Sequence, residues 1–369
     1  MDLMQHEKLT LHSVDVRLVE VPLKRSVISR VGVFDWWPVV LIDLDTEQGI
    51  TGQSYLEPYL KQSMKYIKAV IEDIAASRAG KQISPLIDFL DGRRGLNLVG
   101  HEGLSMIAIS GLDMAAWDAL SRSVRMPLAR FLGGDIGPVP AYNSNGLWLS
   151  SADALAGEAT ELVNEGGFAA LKLRLGRDRV EDDLRAIKIV RAEVGADIKL
   201  MVDFNQGLTF GDALHRCHAL DGEGLHWFEE PTTYTNLVGH AQLARELKTP
   251  IQIGENFYGP RELARAISAG AADYVMPDLM RIGGVSGWMR SVPVAAAAGI
   301  EVSTHLYPEV SAHLMRITET AHWLEWQDWV NPILAEPFEL ANGSIVIPDR
   351  LGSGITWNED AVSKFASDA

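Results

Sequence analysis

Three short apolar runs of strand type, IKLMVDFNQG, LHWFEEP and IQIGEN, each stop on a carboxylate, and the resulting Asp203, Glu229 and Glu255 follow one another at intervals of 26 residues. A β-strand, its return helix and two short loops use about that many residues, so the interval reads as successive βα units of a parallel sheet. Acids at the same ends of neighbouring parallel strands converge on one point. Carboxylates that close repel each other, and a hard divalent cation with oxygen ligands relieves the repulsion. A single acid after a strand is usually a loop residue or a helix N-cap. Three in step read instead as a Mg²⁺ site.

The rest of the chain follows two rhythms. Residues 9–55 give three strand-like runs, LTLHSVDVRLVEV, VVLIDLDT and ITGQSYL, the last two joined by a Glu47-Gln48-Gly49 turn as in an antiparallel meander. The stretch from Lys24 to Pro38 reads as a polar loop ending in Phe34, Asp35, Trp36 and Trp37, whose paired tryptophans read either as packing anchors or as the lid of a pocket, with Trp36 then expected against the substrate. Helical spacing follows at about 58–78, 84–97 and 102–122. After FLGGD, eight strand candidates alternate with helical stretches: VPAYNSN, AALKLRLG, IKLMVDFNQ, LHWFEEP, IQIGEN, ADYVMPD, IEVSTH and AHWLEW. That alternation indicates an α/β chain forming a (β/α) barrel rather than an open sheet. The expected division is an N-terminal domain at 1–132, a barrel at 133–330 and a tail at 331–369 that packs back on the first domain.

Composition limits the partners. A net charge of −16 argues against nucleic acid and anionic membranes. Cys217 is the only cysteine and sits in a helix-like stretch, which excludes an intrachain disulfide and makes the cytoplasm the natural compartment. The N-terminus has no apolar signal segment, and VPVAAAAGI is too short to span a bilayer. No G-x-G-x-x-G follows the first barrel strand, and HExxH, CxxC and G-x-S-x-G are all missing, so dinucleotide, zinc-hydrolase and acyl-transfer chemistries lack their motifs.

Active sites of such barrels lie at the C-terminal ends of the strands, which collects Lys172, Arg174, Asp203, Asn205, Glu229, Glu255, Asp278, His305 and Glu325. Alternation puts Lys172 and Arg174 on one face and makes Glu229 and Glu230 diverge. Asp278 and His305 end consecutive strands, 27 residues apart. An Asp beside a His fixes its tautomer and raises its basicity, giving a general base. A metal, a cation pair, a basic imidazole and a buried, protonated Glu325 together suit removal of a proton α to a carboxylate.

The ordered set KLR, VDFNQ, EEP, GEN, MPDLMRIGG, STH and AHWLEW, with the VVLIDL strand, the GLDMAAWDAL helix and IVIPD, resembles the mandelate racemase subgroup of the enolase superfamily nearly end to end. The resemblance implies an N-terminal α+β capping domain over a (β/α)₇β modified TIM barrel, and Mg²⁺ held by Asp203, Glu229 and Glu255. It also implies an Asp278–His305 dyad, Glu325 as electrophile, Lys172 and Asn205 at the substrate carboxylate or metal, and a homo-oligomer, commonly an octamer. Ser144, Trp36 and Gln327 join Asn205 as expected substrate contacts. One position departs from the usual Lys-x-Lys on the second barrel strand: the second lysine is Arg174. Guanidinium keeps its proton up to a pKa of about 12 or more, so Arg174 is a poor base and a good anion clamp. Racemisation needs a base on each face of the substrate, whereas dehydration runs with His305 alone. Gln327, with Arg30 and Asp35 in the capping loop, suits a polyhydroxy acid better than a phenyl group. The expected activity is dehydration of an acid sugar to a 2-keto-3-deoxy acid. Racemisation or epimerisation of a 2-hydroxy acid, and non-catalytic carboxylate binding, are the alternatives.

Overall fold

The sheet that carries the three acids closes on itself. In a computed structural model, which describes residues 8–29 and 32–368, three antiparallel strands come first: β1 (Leu11–Ser29), β2 (Gly32–Thr46) and β3 (Thr51–Leu56). Helices α1 (Met64–Arg78) and α3 (Leu104–Ser123) pack on this sheet, α2 (Pro85–Gly95) packs against α3, and the short α4 (Leu128–Phe131) follows. Eight parallel barrel strands follow: β4 (Pro138–Asn143), β5 (Ala170–Arg174), β6 (Lys199–Asp203), β7 (Phe228–Glu229), β8 (Ile251–Ile253), β9 (Tyr274–Val275), β10 (Glu301–Val302) and β11 (Leu324–Trp326). A helical segment separates each consecutive pair, which makes a (β/α)₇β barrel. Closure comes from the β11–β4 ladder and from backbone bonds across β10 and β11, Val302 N to Thr320 O at 2.8 Å and His322 N to Val302 O at 2.9 Å. The strands are nearly continuous apolar runs because helices cover one face and barrel side chains the other.

The β1–β2 ladder runs further than the sequence suggests. The expected polar loop from Lys24 to Pro38 instead extends the hairpin, with a register shift between Pro22 and Val27 and pairs such as Val27 with Phe34 and Val21 with Trp37. Neighbouring strand residues face opposite sides. Trp37 is therefore buried at 1% exposure, whereas Trp36 points outward at 52% and does not reach the barrel mouth, which corrects its expected place. Asp35 is also exposed and accepts a bond from Ser26 Oγ at 2.6 Å, and Arg30 lies outside the described residues.

Helix α3 joins the sheet to the barrel. Gly52 of β3 lies so close to it that a Cβ would come 2.1 Å from the Ala115 carbonyl oxygen. On its other side Asp113 accepts from Ser286 N at 2.8 Å, and Trp117 Nε1 donates to Ser286 Oγ at 2.9 Å. The buried Asp118 carboxylate takes Gln53 N from β3 and both Ser353 N and Ser353 Oγ from the tail. Within the tail, β12 (Glu339–Ala341) and β13 (Ser344–Val346) form a hairpin whose second strand pairs antiparallel with β4. The last residues reach β1, where Glu20 N bonds Phe365 O at 2.9 Å and Ser367 N bonds Leu18 O at 2.9 Å. The tail thus touches both the barrel and the first sheet. Among the described residues no helix is long and apolar enough to cross a membrane.

His313, on the helix Pro308–Met315, fastens three parts together: its Nδ1 accepts from Ala129 N at 3.0 Å and its Nε2 donates to Ser353 O at 3.2 Å. Burial holds this imidazole down at about 4. Its folded pKa lies below the unfolded value of about 6.5, so the stability it contributes is present above pH 6.5 and is lost as pH falls towards 4. His313→Ala is expected to cost about 2 kcal/mol at neutral pH, from two lost bonds and an unpaired Ala129 N–H, and to flatten the fall in Tm between pH 6.5 and 4. Thermal denaturation across that range measures both effects; an unchanged profile would contradict them.

Candidate active site

The strand ends bring the acids together. Asp203 at the end of β6, Glu229 at the end of β7 and Glu255 just after β8 are buried, and one oxygen from each lies within 4.8 Å of the others. Lys172 Nζ stands 2.6 Å from Glu229 Oε1 and 2.7 Å from Glu325 Oε1, with Asp203 Oδ2 at 3.8 Å. One ammonium thus faces a crowd of carboxylates. Burial, together with Asp203, Glu325 and Glu255, lifts Glu229 to about 8 against the pull of Lys172. Burial works against the ammonium, but Glu229 and Glu325 outweigh it and hold Lys172 above its ordinary pKa. Three converging oxygens with less than matching positive charge fit a hard divalent cation such as Mg²⁺. Trp227 Nε1 donates to Glu229 Oε2 at 3.0 Å, and Asn205 donates its Nδ2 to Asp203 Oδ2 at 2.8 Å, which fixes two of the three carboxylates.

The imidazole lies on the other side. His305, three residues past β10, directs Nδ1 at Asp278 Oδ2 (2.7 Å), leaving Nε2 towards the cavity, 3.1 Å from Glu255 Oε2 and 3.4 Å from the Tyr59 hydroxyl. Burial lowers its pKa, yet Glu255 and Glu325, and then Asp278, raise it to about 9. A cation held by the acids would offset the Glu255 contribution to that shift.

Arg174 lies three strands from His305 one way round the barrel and five the other, across the mouth. Its Nη2 donates to Ser144 Oγ at 2.8 Å, its Nη1 to Ser144 O at 3.2 Å, and its guanidinium stacks 4.0 Å over the Trp148 ring. The Nε donor is buried without a hydrogen-bond acceptor, 3.8 Å from Asp203 Oδ2.

Glu325 differs from its expected state. It is fully buried but ionised: against the effect of burial, Lys172, His305 and Arg174 hold its pKa below the usual carboxylate range. It accepts from Ser144 Oγ at 2.7 Å and from Leu306 N at 3.0 Å. Ser144, expected to touch substrate, is enclosed behind Arg174 and Glu325 and links the two.

A cavity of about 400 Å³ opens over this floor. Lys172, Arg174, Asn205, His305 and Gln327 line it below, and Phe34, Trp37, Tyr59, Trp148 and Trp329 give it an aromatic side. Trp37 is held by its Nε1 bond to Glu57 at 3.0 Å and by the Trp329 ring, 4.2 Å between centroids. Sequence reasoning missed Tyr59 and Arg281. Arg281 lies in the MPDLMRIGG motif, sits 5.1 Å over the Tyr59 ring and donates to the Glu255 carbonyl at 3.0 Å. Glu230 was set aside as diverging, but it is buried at a φ of +37° with Oε1 unpartnered and Oε2 on Asn256 Nδ2 at 2.8 Å. Burial, Glu255 and Asp203 raise its pKa well above the ordinary value.

Residues 12–133 match the mandelate racemase / muconate lactonizing enzyme N-terminal domain, and residues 154–361 the enolase C-terminal domain-like family. The chain is 35% identical over 245 residues to the L-talarate/galactarate dehydratase of Salmonella typhimurium, a match covering 66% of this chain and 62% of that protein's length. A crystal structure of an enolase from the alpha proteobacterium BAL199 with bound Mg is 52% identical, with a TM-score of 0.96 over 97% of this chain and 100% of that one. A Bradyrhizobium enolase complexed with magnesium and mandelic acid is 40% identical, with a TM-score of 0.94 over 98% of this chain and 99% of that one. With both domain families matched along its length, the chain belongs to the mandelate racemase / muconate lactonizing enzyme family.

Proposed function

We propose that the chain is a Mg²⁺-dependent dehydratase of acid sugars. The observation that carries the reading is the asymmetry of the cavity: one imidazole base, His305 on Asp278, faces the Arg174 guanidinium, a group with five N–H donors and no lone pair with which to accept a proton. When bound at Asp203, Glu229 and Glu255, Mg²⁺ supplies a Lewis acid for one oxygen of the substrate carboxylate. Lys172, fixed by Glu325, adds positive charge where the enediolate develops. His305 Nε2 takes the proton from C2, the C2–H electron pair forms the C2–C3 double bond, and hydroxide leaves C3 with that proton as water. The enol product tautomerises to a 2-keto-3-deoxy acid. Asn205 and Gln327 offer polar contacts to the substrate, the Arg174 side chain lines the same cavity as a fixed positive charge, and the flat aromatic side suits the C–H faces of a polyol.

Racemisation of an aromatic 2-hydroxy acid is the second reading. The aromatic side of the cavity and the mandelic acid in the Bradyrhizobium relative favour it. It needs a second base that Arg174 does not provide. A screen of mono- and diacid sugars and mandelate in D₂O with Mg²⁺ separates the two: keto-acid formation supports dehydration, inversion with deuterium at C2 supports racemisation, and silence throughout contradicts both. We also place the protein in the cytoplasm as a homo-oligomer. Its one cysteine is buried, and the exposed Val33, Trp36, Leu98 and Val99 offer apolar surface for contacts between copies.

Two outcomes follow for single residues. Mg²⁺ is expected to raise the Tm of the wild type by relieving the repulsion among the acids, and Asp203→Asn to abolish most of that shift; equal shifts in both proteins would remove Asp203 from the metal site. Arg174→Ala is expected to raise KM about 10- to 100-fold with a smaller effect on kcat, the loss typical of one charge-assisted hydrogen bond. Steady-state kinetics on the substrate found in the screen decides, and a fall in kcat alone would contradict an anchoring role.

A further inference from the structure

The closed end of the barrel, where the strands begin, carries a second cluster that the proposed reaction does not use. His226 precedes β7 and His322 precedes β11, and their Nε2 atoms lie 3.3 Å apart. Two imidazole nitrogens bound at 2.0–2.1 Å to one tetrahedral cation stand about 3.3 to 3.4 Å apart, so this pair already has the bite of a bis-imidazole metal site. Without a cation the cluster is poorly satisfied. Trp323 Nε1 also points at His226 Nε2, at 3.3 Å, and two donors then share one lone pair. Glu301, at the start of β10, has Oε2 3.9 Å from His322 Nε2, and its side chain is 48% exposed, free enough to swing in as an oxygen ligand.

We propose that His226, His322 and Glu301 form a site for an imidazole-seeking divalent cation, Zn²⁺ or the chemically similar Ni²⁺ or Cu²⁺, with water completing its coordination. Nitrogen donors favour these ions over Mg²⁺, so the barrel holds two sites of different hardness, oxygen donors at its open end and imidazoles at its closed end. Burial keeps both imidazoles free of the proton that would compete, at about 4 for His226 and about 3 for His322, with Lys199 pushing the same way. Lys199 acts on both rings and opposes a bound metal. Trp227 lies between the two ends: its ring packs 5.1 Å from His226 and 5.9 Å from His322, while its Nε1 holds Glu229.

Calorimetric titration of the Mg²⁺-saturated protein with Zn²⁺ tests the site. One equivalent is expected to bind without displacing Mg²⁺, and its affinity to fall at least 10-fold in His226→Ala and in His322→Ala, several-fold in Glu301→Ala, and to rise in Lys199→Gln. Activity with Mg²⁺ is expected to stay unchanged in all four. Electron paramagnetic resonance of Cu²⁺ bound to the wild type is expected to show hyperfine coupling to two imidazole nitrogens, which keeps the test decisive if a histidine variant fails to fold. No Zn²⁺ bound in the presence of Mg²⁺, an affinity unaltered by His322→Ala, or coupling to fewer than two nitrogens would overturn the proposal.

Discussion

Repulsion among carboxylates held in a buried space is the constraint on which the rest of this protein turns. Asp203, Glu229 and Glu255 approach one another closely, and Glu230 and Glu325 stand beside them, yet among the described residues Lys172 is the only ammonium bonded among them. Leaving buried like charges unbalanced costs several kcal/mol per group. The fold keeps them there because each lies in or just after a barrel strand whose apolar body is locked in the sheet, so the acids cannot separate without breaking it. A divalent cation resolves the conflict, and the conflict is what makes the site bind one.

The same geometry divides the chemistry between the two sides of the mouth. Lys172 and Arg174 rise from one strand, β5, and keep positive charge on the side of Asp203 and Glu229. His305 stands on the far side, with Asp278 behind it and Tyr59 above. The N-terminal sheet completes this side. Glu57 N bonds the Tyr307 hydroxyl at 2.9 Å and Tyr55 donates to Glu309, so the end of β3 is anchored to the loop and helix that follow His305. Helix α3, fixed by Asp113 and Asp118, holds the sheet in that position.

Much of this was legible in the sequence, for a physical reason. A strand that stops on a charged residue leaves a sharp signal, and Asp203, Glu229, Glu255, Asp278 and His305 all stand where apolar runs end. What depended on neighbours distant in the chain was not legible. Trp36 and Trp37 are adjacent letters, and only the register of β1 against β2 decides that Trp37 turns inward and Trp36 outward. The charge on Glu325 depends on Lys172, more than 150 residues away on another strand, so its protonated state could not be judged locally. Ser144 was found by position but not by direction, and Tyr59 reaches His305 from a segment with no motif at all.

In the proposed reaction His305 removes the proton beside a carboxylate held at the acids. Deuterium wash-in at C2 of an acid-sugar substrate, followed by NMR in D₂O for wild type and His305→Asn with Mg²⁺ binding measured in parallel, tests it most directly. The variant is expected to bind Mg²⁺ as the wild type does but to lose exchange and product formation by about 10³-fold or more, the upper range for loss of a general base. A variant that exchanges or turns over at the wild-type rate would contradict it.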